Sequence, residues 1–226
     1  MRILAFDTST KFLSVALLED ERKVSEFHEE AGIRHSEILI TTIKNMLEGS
    51  GWEAKDIDLV CVGIGPGSFT GLRIAVATAK GLAAVLRNKV SGIPTMDAMI
   101  MNLPPNKTLM APLLDARKAK VYSCIYDRSG EEPERITEYL LVTIEELLDG
   151  LKRETIFFGD AVIKYKEVLD KHPLARYIDN CDWYPRAVQI GRMALRRLGS
   201  GTDTPESLEP LYLHAKECNI TTKKKK

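Results

Sequence analysis

Nine consecutive residues have the composition of a phosphate cradle: Gly65-Pro66-Gly67-Ser68-Phe69-Thr70-Gly71-Leu72-Arg73. An apolar run, Leu59 to Ile64, precedes them and reads as a buried strand. An apolar segment from Phe69 to Leu86 follows and reads as a helix. A glycine-rich turn that opens a helix presents free N–H groups to an anion. Gly65, Gly67 and Gly71 permit close approaches that a Cβ would block, Pro66 stiffens the turn, and Ser68 or Thr70 can cap the helix. The spacing departs from the known phosphate loops. A P-loop ends in Gly-Lys-Ser/Thr, whereas Gly71 is followed by Leu72 and Arg73, and Gly63-x-Gly65-x-Gly67 is not GxGxxG. Two readings stand: a structural turn that sets a strand tightly against a helix, which the spacing favours, and a turn that touches a ligand.

Asp7-Thr8-Ser9 closes the first strand. In actin-like and ribonuclease-H-like folds an acidic residue at that place faces phosphate and metal, yet Asp, Thr and Ser also simply make a good turn. Asp115 and Asp160 follow later strands and could converge with Asp7, so paired-carboxylate chemistry stays open. Other chemistries lack their residues. There is no GxSxG, no Cys with a nearby His and no HExxH. His35 opens a helix without a second His three or four positions away, so it reads as a capping or interface residue rather than a metal ligand.

The composition bounds the partners. Lys plus Arg equals Asp plus Glu at 32 each over 226 residues, which leaves no global basic field for nucleic acid. The start, Met1-Arg2-Ile3-Leu4-Ala5-Phe6-Asp7, becomes acidic too soon for a secretory signal. Cys61, Cys124, Cys181 and Cys218 are widely spaced and read as free thiols of a reducing cytoplasm.

The elements that must position these residues follow from periodicity. Residues 2–6, Leu13–Leu18 and Val24–His28 read as a β-meander. Gly32 to Ser50 reads as a helix with Ile38, Leu39, Ile43, Met46 and Leu47 in one stripe. Between Phe69 and Leu86 the only charges are Arg73 and Lys80, so that helix needs cover on more than one side: the sheet, and then a neighbouring helix or another protein. A membrane span is disfavoured, because each internal charge costs ~2.5–3.5 kcal/mol at a bilayer centre. Thr95 caps a third helix, and Leu103-Pro104-Pro105-Asn106 is the best domain boundary. The second half restarts the pattern with strands at Leu109–Leu114, Val121–Tyr126 and Ile156–Phe158 and helices at Thr143–Leu148, Tyr165–Lys171 and Ala187–Leu198. The expectation is a duplicated α/β architecture of mixed sheets flanked by helices, with lobes at 1–103 and 104–213. A polar tail at 214–226 should end disordered in Lys223 to Lys226.

Five segments in order resemble one family. They are Phe6-Asp7-Thr8-Ser9, His35-Ser36-Glu37-Ile38-Leu39, the run from Gly63 to Arg73, Asp115-Ala116-Arg117 with Val121-Tyr122, and Glu209-Pro210-Leu211-Tyr212-Leu213. Together they look like the TsaB family, formerly YeaZ, over almost the whole chain. Gly159-Asp160-Ala161 departs from the Gly-Asp-Gly of that pattern. The resemblance implies a two-lobed ASKHA (actin-like, ribonuclease-H-like) fold and a non-catalytic subunit of the bacterial complex that places threonylcarbamoyl on the adenosine beside the tRNA anticodon. It implies TsaD as catalytic partner, TsaE reached through the TsaB–TsaD complex, a homodimer when alone, and tRNA met mainly through the complex, with no membrane. Metal is implied on TsaD rather than here, with no cofactor of the chain's own and any nucleotide at the subunit junction. The implied interface takes His35, Leu39, Ile43, Met46, Leu47, Arg73, Ala75, Thr78, Ala79 and Leu82. Asp7, Thr8, Ser9, Gly65, Gly67 and Ser68 are the nucleotide-proximal candidates, and they would carry the competing reading, an autonomous ATPase or kinase. A peptidase is a third, weaker class, since zinc ligands are missing.

Overall fold

The computed structural model describes residues 1–178 and 183–213. The expected lysine tail, Cys181 and Cys218 lie outside the described residues. In chain order the elements are β1 (Arg2–Asp7), β2 (Phe12–Glu19), β3 (Arg22–Glu30), α1 (His35–Gly49), β4 (Leu59–Gly65), α2 (Phe69–Leu86), β5 (Lys89–Pro94) and α3 (Thr95–Ile100). They continue with β6 (Asn106–Arg117), β7 (Lys120–Ser123), β8 (Tyr126–Arg128), β9 (Glu134–Arg135), β10 (Leu140–Thr143) and α4 (Ile144–Asp149). The last are β11 (Thr155–Phe158), α5 (Ala161–Lys171), β12 (Ala175–Tyr177) and α6 (Ala187–Arg197).

Among the described residues two compact units result: 1–103 with 184–211, and 104–178 with 183, 212 and 213. In the first, the sheet order is β3-β2-β1-β4-β5, antiparallel through the meander and parallel from β1 through β4 to β5. In the second, β10-β7-β6-β11-β12 repeats that order and those directions, with β8 and β9 added off β6. Strand alternation sends Leu4, Phe6, Val60 and Val62 to one face of the first sheet and Ile3, Ala5, Leu59 and Cys61 to the other. α1 and α2 cover the former face and α6 the latter. The second core gathers Leu113, Val121 and Phe157 from the sheet with Leu147 of α4 and Val162 of α5. Cys61 and Cys124 are buried and, among the described residues, lie outside any disulfide.

The division of the chain differs from the expected lobes, because residues 184–211 return to the first unit. The amphipathic α6 buries Ala187, Ile190, Met193 and Ala194, as its periodicity requires, but does so on β1 and β2. Gly191 lets it lie flush, since a Cβ there would sit 2.7 Å from Leu18 Cδ1. The buried Ser14 Oγ on β2 accepts the Ala187 N–H at 2.8 Å, giving a mid-strand hydroxyl its partner. The single strand expected over Val121–Tyr126 is two, β7 and β8, which pair different stretches of β6. β9, β10 and β12 were not anticipated. α5 begins one turn earlier than expected, at Ala161.

Candidate functional site

The nucleotide-proximal candidates do come together, as a latch between two turns. Asp7 ends β1 with no exposed surface. Its Oδ1 accepts the Ser9 N–H at 2.7 Å and the Ser9 hydroxyl at 2.6 Å, and its Oδ2 accepts the Thr95 hydroxyl at 3.0 Å. Thr95 Oγ1 in turn accepts the Gly65 N–H at 3.0 Å, tying the end of β4 to the start of α3 through the same carboxylate. Thr8 donates to the Gly71 carbonyl at 2.7 Å, and the Ser68 N–H donates to the Ser9 carbonyl at 2.7 Å. Ser68 also caps α2, its Oγ accepting from the Gly71 N–H at 3.3 Å. The glycines make the contact close enough: a Cβ on Gly67 would lie 2.4 Å from the Ser9 oxygen. Gly65 has φ +101° and precedes Pro66 in a cis peptide bond. Thr95, anticipated only as a helix cap, is the residue that closes this network. Asp115 and Asp160 lie in the second unit, where the Asp160 Oδ1 accepts the Asp115 N–H at 3.0 Å.

The latch has an acid signature. Burial raises the Asp7 pKa above its ordinary 3.8, opposed by the hydrogen bonds from Ser9 and Thr95. Between 3.8 and the raised value the folded chain binds more protons than the unfolded chain. Stability present below the unfolded pKa is therefore lost as pH rises through the folded one. Asp7→Asn keeps an acceptor for Ser9 and removes the titration, so its unfolding free energy should lose this contribution to the pH dependence. Asp7→Ala strands the Ser9 N–H and two hydroxyls and is expected to cost on the order of 3 kcal/mol. Denaturant unfolding of the three proteins from about pH 4 to pH 7 checks both expectations; an Ala variant as stable as the parent would show the network to be dispensable.

The helical interface candidates divide by burial. Leu39, Ile43 and Leu47 on α1 and Ala75 and Ala79 on α2 are buried in the first unit's own core. His35 is also buried, with Nε2 3.2 Å from the Phe12 carbonyl oxygen. These six pack inside the unit: the main apolar stripe of a helix faces the nearest sheet first. Met46, Thr78 and Leu82 are half-buried, and Arg73 is exposed with its guanidinium 4.8 Å from the centre of the Phe69 ring. Part of what remains outside is apolar. Ile40 of α1 is 54% exposed, and Phe69 and Val85 of α2 are 57% and 82% exposed. Ala77, Gly81 and Ala84 are exposed between them on α2. Among the described residues only α2 is long and apolar enough to cross a membrane, but its inner face, Leu72, Ala75, Val76 and Ala79, is part of a protein core. The sequence signal for the outer strip is the near absence of charge around α2, together with Ile40 standing off the α1 stripe.

Among the described residues no group of three or more His, Cys, Asp or Glu could hold a metal ion. A family model described as "TsaD: tRNA N6-adenosine threonylcarbamoyltransferase" matches residues 26–216. A tRNA threonylcarbamoyladenosine biosynthesis protein TsaB from Escherichia coli is 31% identical over 94% of both chains, and one from Haemophilus influenzae is 35% identical over 94% of this chain and 93% of that one. The solved structure of YeaZ from Pseudomonas aeruginosa superposes with a TM-score of 0.81 at 25% identity, covering 94% of this chain and 99% of that one. An activator of 2-hydroxyisocaproyl-CoA dehydratase from Clostridium difficile, solved with ADPNP, shares the fold at a TM-score of 0.52 and 9% identity, over 94% of this chain and 100% of that one. The fold is that of the ASKHA, actin-like proteins, and the chain belongs to the TsaB (YeaZ) family of tRNA threonylcarbamoyladenosine biosynthesis proteins.

Proposed function

We propose that this chain is a non-catalytic scaffold of the bacterial complex that transfers a threonylcarbamoyl group to N6 of the adenosine 3′ to the tRNA anticodon. It acts by binding the catalytic subunit TsaD, and the observation that carries this is the outer strip of α2, apolar apart from Arg73, whose guanidinium lies over the Phe69 ring. The helix already satisfies its own core, so the strip is surplus apolar surface of the kind that marks a protein contact. Small residues along it, Ala77, Gly81 and Ala84, allow another helix to come close. The same strip on a second copy would make a twofold homodimer when TsaD is absent. TsaE then joins through the TsaB–TsaD assembly, in the cytoplasm. No cofactor is assigned to the chain itself, and a nucleotide in the assembly belongs at the junction with TsaD.

The latch supports this reading over an autonomous ATPase. A carboxylate with no exposed surface that already accepts three hydrogen bonds from its own chain is held as part of the packing rather than presented to solvent magnesium. Reconstitution tests the proposal. Supplied with ATP and an activated threonylcarbamoyl donor, unmodified tRNA incubated with TsaD and TsaE should acquire threonylcarbamoyladenosine only when this chain is added, and the chain alone should neither modify tRNA nor turn over ATP. Equal modification without it would end the scaffold reading.

A further inference from the structure

The Asp115-Ala116-Arg117-Lys118 segment has no part in the helix face or the latch. It forms the end of β6 and its turn into β7, where Arg117 pairs with Lys120. Lys118 and Ala119 are thus the two central residues of a tight hairpin, with φ +47° and +58°. Asn-Gly or Asp-Gly ordinarily fills such a turn, because both positions need positive φ. Arg117, beside a shift in register, has φ +62° as well. Three consecutive side-chain-bearing residues are held where L-residues rarely sit, and such strain persists only when the surroundings enforce it.

The base of the hairpin supplies that enforcement. Asp115 Oδ1 accepts the Arg117 N–H at 3.1 Å and the Lys164 Nζ at 2.9 Å, and Asp160 Oδ1 accepts the Asp115 N–H at 3.0 Å. Lys164 therefore neutralises Asp115 below the turn, and the tip keeps its own positive charge. Arg117 and Lys118 are exposed and Lys120 is half-buried. Among the described residues none of the three has a carboxylate within 4.0 Å, whereas Lys11, Arg22, Lys23, Lys55 and Lys164 all do. Glu146 lines the same hollow as Lys120, but its Oε2 accepts the Thr143 N–H at 2.9 Å as part of a helix cap. The chain is neutral overall, so this is a local field and not a share of a general one.

We propose that this hairpin tip binds the phosphodiester backbone of RNA, giving the chain a direct contact with tRNA inside the complex. The inference rests on the tRNA-modification reading and goes past it, since the scaffold role alone requires no RNA contact. Three cations in four residues, with only an alanine between them, suit a contact made by charge. The buried centre of a protein interface would favour aromatic and aliphatic groups and disfavour lysine. The Arg117 guanidinium can grip one phosphate through two N–H groups, and the two lysines supply point charges for its neighbours. A rigid turn holds them at fixed spacing, which lowers the ordering cost of binding.

The test compares the parent with the triple variant Arg117→Gln, Lys118→Gln, Lys120→Gln, each as the isolated full chain and as the complex with TsaD. Binding of unmodified tRNA is titrated between about 50 and 200 mM salt. Loss of three phosphate contacts should weaken binding by about tenfold or more and flatten the log–log salt slope by about 2 to 3. The charge-preserving triple Arg117→Lys, Lys118→Arg, Lys120→Arg should keep the slope. Ala119→Gly, which removes strain and no charge, should bind as the parent does. An unchanged slope in the glutamine triple overturns the proposal, as does the absence of tRNA binding by the parent in both forms. Loss of TsaD assembly with the RNA slope intact also overturns it, in favour of an acidic protein partner. Failure of the parent to assemble with TsaD would sink the scaffold reading alone, because the tip is still judged on the isolated chain.

Discussion

The double variant Gly81→Glu, Val85→Glu is expected to fold as the parent does and to lose TsaD. Val85 is 82% exposed, and an added Cβ at Gly81 meets no atom within 4 Å. Neither side chain supports the core, which α2 reaches through Gly71, Leu72, Ala75, Val76, Ala79 and Ala83. In the isolated chain two carboxylates one turn apart repel by a few tenths of a kcal/mol, and replacing a mid-helix glycine returns about 0.5–1 kcal/mol. In the assembly the same carboxylates would be buried unpaired at the centre of an apolar contact, at a cost of about 3–5 kcal/mol. That converts to a loss of at least about 100-fold, enough to take a micromolar association out of the working range. Circular dichroism and denaturant unfolding report the fold, and size-exclusion chromatography with TsaD reports the assembly. A folded double variant that still co-elutes with TsaD would move the contact off this face. Ile43→Glu cannot serve for this test: Ile43 is 5% exposed within the first core, and a charge there would unfold the unit before any partner was consulted.

Gly71→Ala and Gly63→Ala should each destabilise the first unit by about 3 kcal/mol or more, at the upper end of what overpacking costs. The Cβ of Ala at position 71 would stand 1.9 Å from the Thr8 carbonyl oxygen, and at position 63 it would stand 1.8 Å from Asp7 Oδ2. Neither obstacle can swing aside. The first is backbone just past the end of β1, and the second is a carboxylate held by Ser9 and Thr95. Relief requires strand and helix to part, which would also break the Thr8 bond to the Gly71 carbonyl. Thermal unfolding should show a drop of about 6–12 °C, at about 2–4 °C per kcal/mol for a chain of this size. Gly81→Ala is the matched control, and it should raise the midpoint slightly because α2 is open to solvent there. An unshifted midpoint in Gly71→Ala would mean that the two turns are not locked together.

The local elements were legible because local forces make them. The bounds of α2 follow from an apolar segment interrupted only by Arg73 and Lys80, with a capping serine before it. The meander follows from alternation in three successive runs, and the break near Leu103 follows from two prolines. The glycine turn was recognisable as a tight strand-to-helix junction. Its contact with the Asp7 turn was not, since Gly71 and Thr8 are far apart in sequence and meet only when β1 pairs with β4.

Which face of a helix looks inward was decided by tertiary structure alone. An apolar stripe on α1 and a helix apolar all round do not say which side meets the chain's own sheet. Leu39, Ile43, Leu47, Ala75 and Ala79 went to the core, while Ile40, Phe69 and Val85 were left outside. The destination of α6 was likewise beyond its own pattern. Its period specifies a buried face, but only the flat surface of Ala5, Leu18 and Ser14 on β1 and β2 accepts the small face at Ala187 and Gly191. Sequence by itself determined the family, the elements and the surplus of apolar surface, because these depend on residue type and short-range spacing. Fold-level packing decided where that surplus lies and that Asp7 is consumed internally, because both depend on which distant surfaces fit together.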